Sequence, residues 1–346
     1  PDRRDVSGVD YAPHRRSARG RLSRAVTRAW ERVVVIVFRA VSALLVRVPL
    51  RISEPIARIG FRAGYYLWPS KRRIICTNAA HVLGLPPDDP HVTSLARGIY
   101  ATYARFTIEL MRLPGLSADE PARLMPRHGP DHERFMALWA TCQAEGRGIV
   151  VVSGHIGSIE VFAGSYAQEG IPTYGLADDS AFPELFELLN ASRARWGVTI
   201  IPWKRLRDIF RVLRRPAVLG MVVDWGYRPD DLPVRLFGDR TTLPAGPATL
   251  AARTGAALLP VVARRQDDGS YRPMMYEPIE VADSSPAELA RATQAVADAL
   301  EDMIARAPDQ WYTFKPMWPV GEAEVAALAA RAGELDDKTP KEAADG

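Results

Sequence analysis

Four apolar β-forming residues in succession, Ile149-Val150-Val151-Val152, constrain this chain more than any other stretch. A strand that is apolar at every position has both faces covered, as in the interior of a parallel sheet. Ser153 and Gly154 break the run, and Ile159, Phe162 and Ala163 follow with helical spacing. His155 therefore sits where a strand ends and a helix begins. In an open α/β sheet, ligands bind at that edge, beyond the carboxyl ends of the strands.

The flanking sequence repeats the alternation. Helices are expected over residues 74–126 (one of them at 91–111) and at 131–145 before this strand. After it come helix 161–168, strand 172–177, helix 183–196, strand 198–202, helix 205–214 and strand 217–223. A helix from about 246 to Gly255, strands at 256–263 and 271–281, and a last helix over 284–306, capped by Ser284 or Ser285 with Pro286 in its first turn, complete the reading. This predicts an α/β fold with a mostly parallel central sheet flanked by helices. Asp224 closes strand 217–223 and so lies at the same sheet edge as His155.

Glu160 follows His155 by five residues, a rotation of about 140° on a regular helix. The two meet only if His155 lies in the turn before the helix and Glu160 in its first turns. Gly154 and Gly157 make such a turn accessible. A carboxylate bonded to one imidazole nitrogen fixes the tautomer and leaves the other nitrogen free to take a proton. The residues alone equally allow a capping histidine and a solvated glutamate.

Composition narrows the classes. The two cysteines, Cys76 and Cys142, and the six scattered histidines predict neither a disulfide framework nor a metal site. No Gly-x-Ser-x-Gly elbow and no phosphate-loop Gly-Lys-Ser/Thr is present. The net charge of +4 hides an asymmetry: residues 1–73 hold 17 Lys/Arg against 5 Asp/Glu. Residues 1–20 lack apolar periodicity and are expected to be disordered. Residues 21–73 combine arginines with Trp30, Phe38, Tyr65, Tyr66 and Trp68 and end in Lys71-Arg72-Arg73. A basic, aromatic-bearing amphipathic segment is expected to lie on an anionic membrane surface rather than to bind nucleic acid. Its apolar run from Val33 to Leu50 is broken by Arg39 and Arg47, short of the about 20 residues that a spanning helix needs. The expected location is thus the cell membrane, peripheral, on the cytoplasmic face. The polar tail 334–346 is expected to be disordered.

Gly154-His155-Ile156-Gly157-Ser158-Ile159-Glu160 resembles the Gly-His-x-Gly-x-x-Glu/Asp block of the glycerolipid-type acyltransferases. In particular it looks like the bacterial late acyltransferases of lipid A synthesis and the actinobacterial phosphatidylinositol mannoside acyltransferases, although Ser158-Ile159 replaces the usual Asn-Trp. Further blocks in the same order carry the resemblance over roughly residues 70–320. They are Phe237-Gly238-Asp239 with the following Gly246-Pro247-Ala248, the strand around Pro260, and Pro308-Asp309-Gln310-Trp311. Arg193 lines up with an arginine of the mannoside acyltransferases.

The resemblance implies an acyltransferase domain over 74–333. His155 would be the general base and Glu160 its orienting partner. Arg193, Asp239, Gly157 and Asp224 would be substrate contacts. Acyl-CoA or acyl carrier protein would be the donor, a glycolipid the acceptor, and no cofactor or metal would be required. The thioester is already activated, so no nucleophilic Ser or Cys is needed. A base for the acceptor hydroxyl and positive charge near the oxyanion suffice. The oxyanion donors would be backbone N–H groups at the start of the helix after His155, or Arg193. On residues alone, a thioester hydrolase and a non-catalytic lipid-binding protein remain alternatives.

Overall fold

The computed structural model describes residues 18–177 and 183–338. Helices α1 (Ala18–Arg47), α2 (Leu50–Leu67), α3 (Pro69–Leu83) and α4 (Pro90–Arg112) come first. Helices α5 (Glu120–Leu124) and α6 (Pro130–Glu145) lead into β1 (Ile149–Ser153). The alternating part holds α7 (Ile159–Ala167), β2 (Thr173–Ala177), α8 (Pro183–Arg195), β3 (Val198–Pro202), α9 (Leu206–Leu213) and β4 (Val218–Val222). Strands β5 (Leu232–Leu236) and β6 (Asp239–Leu243), α10 (Gly246–Thr254), β7 (Ala257–Arg265), β8 (Tyr271–Met275), α11 (Pro286–Arg306) and α12 (Glu322–Lys338) follow.

Six strands form one sheet in the order β3-β2-β4-β1-β7-β8. Every pairing in it is parallel except that of β7 with β8. The expected α/β class with a mostly parallel sheet flanked by helices is what the chain adopts. β1 is interior: Ile149 stands opposite Val218 on one side and Ala257 on the other. Its unbroken apolar run has a direct cause. Val150 and Val152 pack with residues of α9, α10 and α11, while Ile149 and Val151 pack with residues of α6 and α7. All four are buried, and each such side chain contributes about 1.5–3 kcal/mol relative to exposure.

The helical N-terminal part packs α2 along α4 through Tyr65, Ile99 and Tyr100, with Ile75 of α3. Asn78 of α3 donates to the Thr313 and Lys315 carbonyls and accepts from the Met317 N–H. This ties α3 to the segment after α11. The aromatics of α1 divide: Phe38 is buried against the body, whereas Trp30 is 61% exposed. Among the described residues, no helix is long and apolar enough to cross a membrane.

The structure departs from the sequence reading in several places. β5 and β6 make a separate antiparallel hairpin in which Leu236 pairs with Asp239. Its two-residue turn puts both Phe237 and Gly238 at positive φ, the geometry of a tight hairpin turn. The strand expected over 271–281 stops at Met275, and Ile279 makes only a bridge to Leu258. Helix α12 carries the chain to Lys338, several residues into the expected tail. Its Ala, Leu, Glu and Arg are strong helix formers, and it is anchored by Leu328 and Ala332. The disorder expected for residues 1–20 fails at 18–20, which open α1; residues 1–17 and 339–346 lie outside the described residues.

Candidate active site

β1 and β4 are neighbours in register, with Ser153 opposite Val222. Two residues beyond each strand end stand His155 and Asp224. Asp224 Oδ1 lies 2.7 Å from His155 Nδ1, and Oδ2 accepts the His155 backbone N–H at 2.8 Å. The Trp311 indole N–H also donates to Oδ2, at 2.8 Å. The Asp224 side chain is fully buried and that of His155 is 35% exposed. The turn itself is fastened by the segment after α11. Tyr312 N–H donates to the His155 carbonyl at 2.7 Å, and Gly157 N–H donates to the Gln310 carbonyl at 3.3 Å.

Burial alone would raise the Asp224 carboxyl. The adjacent His155 charge and the hydrogen bonds from His155 and Trp311 outweigh it and hold the carboxyl below its ordinary range. Burial alone would lower His155, and Lys315 pushes the same way. The charge and hydrogen bond of Asp224 outweigh both, so the imidazole is raised above its ordinary value. With Nδ1 engaged by the carboxylate, Nε2 is the nitrogen left for proton transfer.

The orienting contact expected from Glu160 is supplied instead by Asp224. Ser158 caps α7, its Oγ accepting the Val161 N–H at 3.3 Å, so Glu160 lies in the first helical turn. From there its carboxylate is gripped by Arg193 of α8, Nε to Oε2 at 2.9 Å and Nη2 to Oε1 at 2.5 Å. Arg193 is therefore committed to Glu160 rather than free for an oxyanion. Gly157 has φ 58°, and a Cβ there would fall 2.0 Å from the Ala263 carbonyl oxygen. The turn before α7 thus has room for no side chain at this position. Ser158 N–H is likewise taken, donating to Ala263 at 3.0 Å. The remaining first-turn amides, those of Ile159 and Glu160, have no acceptor within the helix.

Asp239 is not brought to this place. It pairs with His81 of α3 at 2.6 Å, and the His81 ring stacks on Trp318 with centroids 4.0 Å apart. Neither His81 nor Asp239 lines the cavity at His155.

That cavity has a volume of about 430 Å³. His155, Gly157, Glu160 and Arg193 all line it, with Trp225 and Tyr312 beside them. Trp225 meets the His155 ring edge to face at 5.1 Å, and Lys315 Nζ sits 5.1 Å from the Trp225 ring. The rest of the lining is largely apolar, from β2, β3, α7 and α8. Among the described residues no cluster of His, Cys, Asp and Glu has the arrangement to hold a metal ion.

Residues 19–319 match the family model described as bacterial lipid A biosynthesis acyltransferase. The chain belongs to this acyltransferase family. It is 31% identical over 249 residues to the phosphatidylinositol mannoside acyltransferase of Mycolicibacterium smegmatis, covering 70% of this chain and 77% of that protein. The protein of the same name from Mycobacterium tuberculosis H37Rv is 29% identical, with 73% and 80% covered. The lipid A biosynthesis lauroyltransferase of Escherichia coli K12 is 29% identical over 174 residues, with 49% and 55% covered.

For this acyltransferase, sequence reasoning placed Asp224 at the right edge but gave its orienting role to Glu160. It did not foresee Trp225, Tyr312 or Lys315 at the site. Trp311 was singled out only as part of a Pro-x-x-Trp block. Its contact with Asp224 spans 87 residues, and no local pattern encodes such a distance.

Proposed function

We infer that this acyltransferase moves a fatty acyl group from an acyl thioester, acyl-CoA or acyl carrier protein, to a hydroxyl of a glycolipid. The observation that carries the reading is the buried Asp224–His155 pair opening on an apolar cavity. His155 Nε2 removes the proton from the acceptor hydroxyl as that oxygen attacks the thioester carbonyl. The tetrahedral oxyanion forms near the first amides of α7, where the helix dipole favours negative charge. Collapse breaks the C–S bond, and the imidazolium returns its proton to the departing thiolate. Asp224 holds the ring in the required tautomer and stabilises its charged form. Glu160 and Arg193 act as a clamp that ties α7 to α8 across the cavity.

The acceptor's chemistry has support in the names of the mannoside and lipid A relatives. The site of action is an anionic membrane surface on the cytoplasmic face, reached by peripheral attachment. Supporting this, α1 and α2 leave Trp30, Ile36, Ile56, Ile59 and Leu67 exposed, as is Trp68 just after α2, close in sequence to the basic Lys71-Arg72-Arg73. Arg32 on α1 reaches Glu184 at the start of α8, 3.8 Å away, so this face adjoins the helix that roofs the cavity. Each basic residue near an anionic bilayer adds about 1 kcal/mol.

The test is initial-rate thiol release with acyl-CoA, with and without a mannosylated phosphatidylinositol acceptor. Acceptor-dependent release with an acylated lipid product supports transfer; release independent of acceptor overturns it. Flotation with anionic vesicles tests attachment. The Ile56→Ser/Ile59→Ser/Leu67→Ser variant should lose most binding, and unchanged flotation would contradict the assigned face.

A further inference from the structure

Residues 203–215, which span α9 and its flanks, carry six Lys/Arg against one Asp. Lys204, Arg205, Arg207, Arg211, Arg214 and Arg215 are all exposed. Asp208 pairs with Arg211 at 2.6 Å, so the segment stays strongly positive. Apolar surface lies among the charges: Trp203 is 51% and Leu206 60% exposed.

The two faces of α9 differ. Ile209, Val212 and Leu213 are buried with Val150, Val152 and Leu219 of the sheet. On the outside, Leu206, Arg207, Phe210, Arg211 and Arg214 line an open depression of about 550 Å³. The stripe runs from 206 to 214, about 12 Å at about 1.5 Å per residue. An apolar ridge flanked by cations at helical spacing is the surface that an acidic amphipathic helix complements.

The patch adjoins the site's edge of the sheet. β3 is the edge strand, and its last residue, Pro202, stands opposite Ala177 of β2. Trp203 N–H donates to the Ala177 carbonyl at 3.2 Å, and Ala177 lines the cavity at His155. His155 and Trp203 follow the ends of β1 and β3, which lie three strand spacings apart in the order β3-β2-β4-β1. At about 4.8 Å per spacing the separation is about 14 Å, within the reach of an extended phosphopantetheine arm.

Resting on the acyl-transfer reading above, we propose that the outer face of α9 docks an acyl carrier protein, a small acidic helical protein that hands its acyl thioester to His155. Placement argues against a bilayer as the occupant. α8 lines the cavity together with α7 on one side of the sheet, and α1 reaches α8 through Arg32 and Glu184. α9 packs on the other side with α10 and α11. A flat bilayer resting on α1 and α2 therefore meets the opposite side of the sheet. Length argues against the nucleotide of CoA. Its phosphates are compact, would use only the cations nearest the cavity, and offer nothing to Leu206 and Phe210.

The experiment compares wild type, Arg207→Glu/Arg214→Glu, Leu206→Ser and, as a control for net charge on the far edge strand β8, Arg272→Glu. For each, kcat/KM for transfer to one glycolipid is measured with dodecanoyl carrier protein and with dodecanoyl-CoA. Calorimetric binding of acidic holo acyl carrier protein and flotation with anionic vesicles are measured in parallel. Arg207→Glu/Arg214→Glu should lower kcat/KM with the carrier protein, and weaken its binding, by about tenfold or more. Transfer from dodecanoyl-CoA and flotation should not change. Leu206→Ser should act in the same direction by less, Arg272→Glu should match wild type, and added salt should weaken binding of the carrier by wild type. No binding of the carrier by wild type, an equal loss with both donors, or lost flotation with carrier use intact would overturn the proposal. Transfer from CoA without carrier binding would leave the transfer reading in place. Carrier binding that Arg207→Glu/Arg214→Glu abolishes, without transfer from either donor by wild type, would keep the docking face and overturn the transfer reading.

Discussion

Two histidine–aspartate pairs in this molecule share nearly the same bond. Nδ1 to carboxylate oxygen is 2.7 Å at His155–Asp224 and 2.6 Å at His81–Asp239. Their surroundings differ in every respect that matters to chemistry. The Asp224 side chain has 0% exposure, against 59% for Asp239. Asp224 also accepts from the His155 backbone and from Trp311. The His155 ring borders a cavity, whereas the His81 ring lies flat on Trp318. Water screens the outer pair, and the interior does not screen the inner one. The geometry of the bond is thus no guide to function; burial of the carboxylate and room for a substrate are.

The largest contrast should be in rate. General-base help is worth about 10²–10⁴, or roughly 3–5 kcal/mol of barrier. His155→Ala should lose that much in thiol release with a lipid acceptor, and His81→Ala should stay close to wild type. Comparable losses in both would erase the distinction. Stability should divide the same way. Breaking a buried pair from one side costs about 3–5 kcal/mol, and an exposed pair is worth about 0–1 kcal/mol. Urea unfolding of Asp224→Ala and Asp239→Ala reads these two numbers directly.

A smaller effect sharpens the account of the inner pair. Trp311→Phe keeps the ring and removes the N–H that Asp224 accepts. A hydrogen bond to a charged group is worth about 1.5–3 kcal/mol, so unfolding midpoints should fall by a corresponding amount. A drop no larger than that of Asp239→Ala would make the indole N–H incidental.

The pH dependence of stability follows from the two shifts. Asp224 is held below its ordinary range. Its contribution is full above the unfolded carboxyl value of about 3.9 and is lost as pH falls through the lower folded value. His155 is raised, so its contribution is full below about 6.5 and is lost as pH rises through the folded value. The stability gap between wild type and Asp224→Ala should be widest between these limits. A gap that does not vary with pH would contradict the linkage.

The sequence made the sheet legible because β1 is buried on both faces and its composition says so. It made the site's position legible because Ser153-Gly154 ends that strand. The error over Glu160 has a physical origin. A partner five residues away can be weighed from helical geometry, but Asp224 lies 69 residues away, just past the end of the strand that pairs with β1. Only the order β4-β1 brings it to His155, and strand order is not written in any local pattern. Asp239 lies away from His155 for the converse reason. Its motif block marks a hairpin turn, and the hairpin sends it to His81.

The central claim is that Asp224, not Glu160, orients and charges the catalytic imidazole. The most direct measurement is the pH profile of kcat/KM for acyl transfer by wild type, Asp224→Asn and Glu160→Gln. Wild-type activity should rise with pH through a value above the ordinary histidine pKa of about 6.5. Asp224→Asn should cut the rate strongly and move that rise to lower pH, because the charge holding the imidazole up is gone. Glu160→Gln should lower the rate less and leave the rise where it is. A profile moved by Glu160→Gln and untouched by Asp224→Asn would contradict the account.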